Sequence, residues 1–468
     1  MADFEDVAAT NSKIFYDGFQ TLNPIARLLS VGVDQINFVV CVFIGYAIAN
    51  ATRTIKMSRQ QKALLTSTVG IIFCYFCYGK AMFHLFINAF GSYAIMHFSS
   101  PKHVHFFVFI FSMSFLLLIH TYRFFYQKSY CLDVTTSIMI SVGKVTLLAS
   151  SLHDGLGRKH EESKITKEQK AGAITQIPSL LDFVSFMFSY QTILSGPMNT
   201  YSSWSDYLDD KHVKQHPKTG HVPDPADVAW KKFQIALGFF ALQAILNMLI
   251  PISSLYTADP LCRIPYYGAW ISADAICNAS GYGFSGFSDK GDAQWTLCTN
   301  VIPSKIEFGL TYKDIADNWN SQTVMWLRRV VYDRAPKEHK KLAVYTTSAV
   351  WHGVHGRRCL RHHFTKDEKT KKFYDVLTFI AARFASSLCV YSFIAMTLEG
   401  TLAGYWKMMF VPHLVALFLI YGLPLLAPPL KGDTTTSSIK TSRSSVRTDG
   451  STQKSQRSQM SVRTAKLG

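Results

Sequence analysis

A single histidine stands at the end of an apolar, small-residue stretch in the last third of the chain. The stretch reads KLAVYTTSAVWH and ends at His352. A neutral imidazole near pH 7 can take a proton from an alcohol as the alcohol attacks a carbonyl, so His352 is a candidate general base. Trp351 and Gly353 flank it, and the small glycine leaves room for a substrate on one side. The simpler interpretation, a histidine that hydrogen-bonds a backbone carbonyl, stays open on spacing alone.

Three further histidines follow in the basic stretch VHGRRCLRHHF. We interpret His355, His362 and His363 as surface residues, because their spacing matches no zinc site. The chemistry expected at His352 therefore uses no metal.

A second polar group lies upstream, in WNSQTVMWLRRVVYDR. Read as a helix, this segment places four residues on one face by their three- and four-residue spacing. They are Asn320, Thr323, Leu327 and Val331. A polar Asn–Thr pair on a membrane-embedded helix needs partners, which indicates a wet cavity.

The same segment permits a second interpretation, an interfacial amphipathic helix. Arg328 and Arg329 could reach the headgroups while their stems stay apolar. Trp319 and Trp326 are residues typical of a membrane interface.

Apolar runs of about 20 residues recur along the chain, and a helix of that length spans the hydrocarbon core. Because a span must satisfy its own backbone hydrogen bonds, these runs predict an all-α, polytopic membrane protein with about 9–11 transmembrane helices. The candidate spans are residues 34–50, 63–79, 81–98, 104–122, 134–152, 178–195, 232–256, 264–282, 342–356, 374–397 and 403–427.

Charge and composition divide the chain into residues 1–430, the polytopic part, and a tail, residues 431–468. The tail is rich in Ser and Thr and basic, so it is expected to be disordered and cytoplasmic. The net charge of +17 indicates cytoplasmic loops facing anionic lipid, and no nucleic-acid motif accompanies it. The opening, MADFEDVAATNSK, has no basic or apolar leader region, which predicts no cleavable signal peptide.

Several separated motifs in one order resemble the membrane-bound O-acyltransferase family. WNSQTVMWLRRVVYDR followed by SAVWHG resembles its paired Asn and His motifs. Four more stretches resemble its lysophospholipid acyltransferase branch, and within it the enzymes acting on lysophosphatidylethanolamine and lysophosphatidylserine. They are DQINFVVC, SLHDG, PSLLDFVSFMFSYQTILSGP and GYGFSGFSDKGDAQW.

This resemblance implies a multi-helix fold in the endoplasmic reticulum membrane around an internal tunnel. Acyl-CoA would enter from the cytosol and a lysophospholipid from the bilayer, with acyl-CoA a co-substrate and no cofactor required. The expected acceptors are lysophosphatidylethanolamine, lysophosphatidylserine or lysophosphatidylcholine, as in phospholipid remodelling. The family's histidine corresponds to His352 and its asparagine to Asn320.

Chemistry then assigns the roles. His352 is expected to deprotonate the acceptor hydroxyl, and Asn320 to donate to the developing oxyanion. Trp319, Thr323 and Trp351 are expected to line the substrate site. By charge alone, Arg328, Arg329 and Lys313 are candidates for the CoA phosphates.

One departure keeps alternatives open. In the family, Trp-His-Gly continues into an apolar helix with a Gly-Tyr pair, whereas here VHGRRCLRHHF follows. An inactive scaffold relative, or an O-acyltransferase with a sterol or protein acceptor, are the alternatives within the family. A transporter would normally show broken helices or repeated halves, and neither is evident.

Overall fold

The computed structural model describes residues 16–126, 131–158, 165–216, 218–249 and 259–353, together with Trp406. By its contacts the chain divides into Met1–Phe410 and Val411–Gly468, and the second unit lies wholly outside the described residues. The predicted tail, residues 431–468, and the predicted spans 374–397 and 403–427 also lie there, apart from Trp406.

The described part is helical, as the apolar runs predict, with one two-stranded antiparallel hairpin. In chain order the α-helices are α1 (Asn23–Leu28), α2 (Val33–Arg53), α3 (Arg59–Tyr78), α4 (Phe83–Phe98), α5 (Val104–Tyr126), α6 (Val134–Leu152), α7 (Lys167–Gly172), α8 (Leu180–Met187), α9 (Tyr201–Leu208), α10 (Ala226–Leu249), α11 (Asp259–Ala279), α12 (Pro303–Glu307), α13 (Tyr312–Asn318), α14 (Ser321–Leu327) and α15 (Lys340–His352). The strands are β1 (Gly286–Phe287) and β2 (Ala293–Gln294). Two π-helical turns, His153–Gly157 and Arg328–Tyr332, extend α6 and α14.

Among the described residues, five helical stretches are long and apolar enough to cross a membrane. They are Val33–Arg53, Arg59–Phe98, Val104–Tyr126, Val134–Gly157 and Ala226–Leu249. Arg59–Phe98 contains both α3 and α4, which a 3-10 turn at Gly79–Met82 separates. The polytopic helical architecture predicted from the sequence is therefore confirmed, while the internal tunnel stays a prediction.

The predicted span 178–195 is wrong. Its helix, α8, has only eight residues, about 12 Å, and the chain then continues as buried irregular backbone. Such backbone is tolerated at membrane depth where protein surrounds it. Gly70 makes room for it, because a Cβ at that position would overlap the carbonyl oxygen of Phe188.

Helix α6 lies at the centre of the bundle. Asp133 caps its N-terminus by accepting a hydrogen bond from the backbone nitrogen of Thr135 at 2.9 Å. Seventeen of the 19 residues of α6 are buried inside the protein. Helices α4 and α5 pack along it, and the segment from α14 to α15 packs against it from another side. Helix α6 therefore supports both candidate catalytic stretches.

Candidate active site

Asn320 does not belong to the helix that the sequence pattern predicts. It precedes α14 as the N-cap residue, with a left-handed backbone at φ 51°. Asparagine is among the few residues other than glycine that adopt this conformation readily. The shared helical face predicted for Asn320 and Thr323 is therefore wrong, because the helix begins only at Ser321.

Contacts with Asn300 and Val301 explain why the helix begins so late. Trp319 forms an isolated antiparallel bridge with Val301. The backbone nitrogen of Ser321 donates to the carbonyl oxygen of Asn300 at 3.0 Å. These bonds hold Trp319 in an extended conformation directly after α13 ends at Asn318, so the chain must turn sharply at Asn320 before α14 can form.

The amide of Asn320 has a defined orientation. The hydroxyl of Thr323 donates to its oxygen, Oδ1, at 2.8 Å. In the part of the chain that the structure describes, no hydrogen bond is made by the amide nitrogen, Nδ2. Asn320 thus presents a half-buried N–H donor, which is the group needed to bind a developing oxyanion.

Trp326 is buried, with 1% of its surface exposed, so the predicted position at the membrane interface is wrong. Its indole nitrogen donates to Oγ1 of Thr146 in α6 at 2.9 Å. Leu327 and Val331 are also buried. This burial anchors α14 to the centre of the bundle.

His352 is the last residue of α15. Its ring lies edge-on to that of Trp351, with the centroids 4.7 Å apart. Trp351 is buried and donates from its indole nitrogen to the carbonyl oxygen of Met139 in α6 at 3.0 Å. The backbone of His352 is therefore fixed through its neighbour, while its own side chain stays half-buried.

A second histidine, His120 of α5, meets the same helix end, and the sequence analysis missed it. Its Nε2 lies 3.0 Å from the carbonyl oxygen of Trp351. Because a carbonyl oxygen only accepts, Nε2 is the protonated nitrogen in this contact. The only signal in the sequence was a histidine inside the apolar run 104–122.

The structure joins the two candidate catalytic segments through one pair of rings. Trp326 of α14 and Trp351 of α15 lie with their ring centroids 5.4 Å apart. Helices α14 and α15 also pack directly on each other. Trp319 does not join this ring pair. Its ring packs instead on that of Trp270 in α11, with the centroids 4.9 Å apart.

The three predicted phosphate-binding cations differ in their surroundings. Arg328 is exposed, whereas Arg329 is half-buried and its Nε has no hydrogen-bond partner among the described residues. Burial lowers the pKa of the Arg329 guanidinium. Lys313 is exposed and forms an ion pair with Asp317, which raises its pKa. Of these three cations, Arg329 is thus the one with a buried N–H donor that has no partner among the described residues.

Together these features define a multi-pass helical membrane protein in which one buried helix supports an asparagine N–H donor and a histidine. The profile of the membrane-bound O-acyltransferase family matches residues 36–260 and 252–361. The chain belongs to that family, and by family it is an O-acyltransferase enzyme.

Individual relatives extend this similarity. Lysophospholipid acyltransferase 6 of Drosophila melanogaster is 30% identical over 462 residues, which cover 87% of this chain and 64% of that protein. Membrane-bound glycerophospholipid O-acyltransferase 1 of Homo sapiens is 30% identical over 463 residues, 87% of this chain and 92% of that protein. Lysophospholipid acyltransferase of Schizosaccharomyces pombe is 24% identical over 461 residues, 87% of this chain and 89% of that protein. The resemblance to the family and to its lysophospholipid branch is confirmed.

Proposed function

We propose that this protein transfers an acyl chain from acyl-CoA to the free hydroxyl of a lysophospholipid. The observation that supports it most is the oriented amide of Asn320, whose oxygen is bound by Thr323 while its nitrogen remains a donor. The names of the relatives favour a glycerophospholipid acceptor. Lysophosphatidylethanolamine, lysophosphatidylserine and lysophosphatidylcholine are the candidate headgroups.

In the proposed reaction His352 takes the proton from the acceptor hydroxyl, and the oxygen attacks the thioester carbonyl. The carbonyl oxygen becomes an oxyanion, which accepts a hydrogen bond from Nδ2 of Asn320. When the intermediate collapses, the carbon–sulfur bond breaks. The thiolate of CoA then takes from His352 the proton that came from the acceptor hydroxyl. A positioned base contributes roughly 10²–10⁴-fold and one oxyanion donor roughly 10²–10³-fold to such reactions.

The location proposed for this reaction is the endoplasmic reticulum membrane, with the tail, residues 431–468, in the cytosol. The tail carries eight basic residues against two acidic ones, which favours the cytoplasmic side. Arg329 and Arg328 are proposed to contact the phosphates of CoA, because this donor carries several negative charges. No cofactor is included in the proposal.

The test uses microsomes that contain the full chain, labelled oleoyl-CoA and a panel of the three lysophospholipids. His352→Ala and Asn320→Ala should each lower transfer by at least about 100-fold. Two matched variants serve as controls. His339→Ala removes an exposed histidine at the start of α15, and Asn318→Ala removes an amide two residues before Asn320.

Transfer that survives His352→Ala would rule out the mechanism. If the protein transferred the acyl chain to a sterol or to a protein and to no lysophospholipid, the proposed acceptor would be wrong and the proposed roles of His352 and Asn320 would stand.

A second candidate, an inactive scaffold relative, is favoured by one observation. Helix α15 has 13 residues and ends at His352, and Gly353 turns the backbone away with φ 100°. The family pattern instead continues as a helix at this point. Absence of transfer to all three lysophospholipids, a sterol and a protein acceptor, from a folded unmodified chain, would select the scaffold.

A further inference from the structure

One face of α6 offers hydrogen-bond partners to the segment that carries Asn320 and His352. Met139 and Thr146, seven residues apart, accept from the indoles of Trp351 and Trp326. Ser150 and Asp154 continue this face at spacings of four residues. Met139 and Thr146 hold α15 and α14 by uncharged hydrogen bonds, whereas Asp154 holds the segment between them by an ion pair.

Asp154 and Arg334 form a two-pronged ion pair. Nη1 of Arg334 donates to Oδ1 of Asp154 at 3.0 Å, and Nη2 donates to Oδ2 at 2.7 Å. The side chains are 4% and 12% exposed, so water screens the pair little. Such a planar pairing fixes orientation as well as distance, which a lysine could not do.

Arg334 also closes the π-helical turn that follows α14. Its Nε donates to the carbonyl oxygen of Arg329 at 3.1 Å, inside the turn Arg328–Tyr332. Its Nη2 reaches the carbonyl oxygen of Ser150 at 3.4 Å. One side chain therefore joins the turn to α6.

The register of this turn sets the direction in which α14 faces. A π-helical turn holds one residue more than an α-helical turn, and single turns of this kind occur frequently at functional sites. If the turn relaxed to α-helical geometry, the helix before it would rotate by about 100° and shift by about 1.5 Å. Asn320, at the start of that helix, would move with it.

We propose that Asp154 and Arg334 are positioning residues for the acyl-transfer reaction. By holding the π-helical turn in register against α6, they keep the amide of Asn320 aimed at the site that His352 serves. This inference rests on the proposed function, because it assigns both residues a purpose in that reaction.

The test compares Asp154→Asn, Arg334→Lys and their double variant with the unmodified protein, all purified as folded full-length chains. Each single variant should lower kcat at least about tenfold per folded molecule, with the KM for the lysophospholipid unchanged. The double variant should be no slower than the slower single variant, because both remove the same contact. Hydrogen–deuterium exchange of residues 321–332 should rise in all three.

Arg158→Gln is the matched control. Arg158 approaches the same carboxylate at 3.7 Å, but from the turn that carries Asp154 itself. It should leave both kcat and the exchange of residues 321–332 unchanged.

Two results would overturn the inference: an unchanged kcat per folded molecule in Asp154→Asn, or unchanged exchange of residues 321–332. A lower melting temperature with unchanged kcat would assign the pair to stability alone. If the unmodified chain transfers no acyl group, the proposed function fails. The exchange experiment then still decides whether Asp154 holds the segment.

Discussion

The indole rings of Trp326 and Trp351 lie with their centroids 5.4 Å apart and their planes tilted by 44°. Each indole nitrogen donates a hydrogen bond to α6. Trp326 lies in α14, which Asn320 directly precedes, and Trp351 directly precedes His352. The ring pair therefore couples the proposed oxyanion donor to the proposed base.

Replacing Trp326 with phenylalanine tests this coupling. The variant keeps an aromatic ring and loses the bond to Thr146, so we expect kcat to fall about tenfold, equivalent to about 1.4 kcal/mol in the barrier. Thr146 keeps its own bond to the carbonyl oxygen of Val142 at 2.7 Å, so no hydroxyl is left without a partner. The measurement is kcat per folded molecule, with Trp230→Phe, at an exposed tryptophan of α10, as the control. Equal rates in the two variants would contradict the coupling.

Thr323→Val should lower kcat and leave both KM values nearly unchanged. The substitution preserves shape and removes the hydroxyl that binds the amide oxygen of Asn320. The amide can then rotate, and its N–H no longer points consistently at the oxyanion, so we expect a loss of about tenfold, smaller than for removal of the donor. Steady-state kinetics with both substrates measures the effect. Thr323→Ser retains the hydroxyl and should restore most of the rate, and failure of this rescue would argue against the hydrogen bond.

Arg329→Gln should raise the KM for acyl-CoA more than Arg328→Gln does. The Arg329 side chain is half-buried and its Nε has no hydrogen-bond partner in the described part of the chain, whereas the charge of Arg328 is exposed to screening by solvent and salt. We expect an increase of about tenfold or more for Arg329, since a charge-assisted bond contributes about 1.5–3 kcal/mol. The KM for the lysophospholipid is the internal control. An unchanged KM for acyl-CoA in Arg329→Gln would remove this residue from the phosphate site.

A pair of glycines tests the packing of the irregular segment after α8. Gly70→Ala should destabilise the protein by about 1–3 kcal/mol, because its Cβ overlaps the backbone at Phe188. Gly238→Ala should be neutral or stabilising by up to about 1 kcal/mol, because it lies within α10 with open space around its Cβ position. Thermal unfolding of the detergent-solubilised protein measures both. Similar melting temperatures for the two variants would contradict the close approach.

Apolar run length predicted the five long apolar helices, including the buried α6, and failed at residues 178–195. Residues 178–195 form an apolar run, yet after α8 ends at Met187 the chain continues as irregular backbone that is buried from Phe188 to Leu194. Run length reports that a segment avoids water, which is equally true inside a bundle. The backbone groups of this segment find hydrogen-bond partners that are distant in sequence. The nitrogen of Tyr190, for example, donates to the carbonyl oxygen of Thr66 at 3.2 Å.

The candidate site shows the same division between local and distant information. Residue types and the family motifs predicted Asn320 and His352 as site residues, and their catalytic roles stay a prediction. Periodicity also placed Asn320 inside a helix, because the bonds to Asn300 that delay the helix have no local signal. His120 was missed for a related reason, since its contact with Trp351 joins residues 231 positions apart in the chain.

The near-complete burial of α6 has a consequence for how the protein is made. Lys144, in the middle of this helix, donates to the carbonyl oxygens of Phe186 and Met187 and to Oγ1 of Thr192. All three acceptors leave the ribosome after α6 does. A newly made α6 thus carries an ammonium group without its acceptors, and it lies in the least hydrophobic of the five spans. Stable insertion of α6 into the bilayer should therefore await synthesis of the segment around Thr192, so biogenesis proceeds by groups of helices rather than one span at a time.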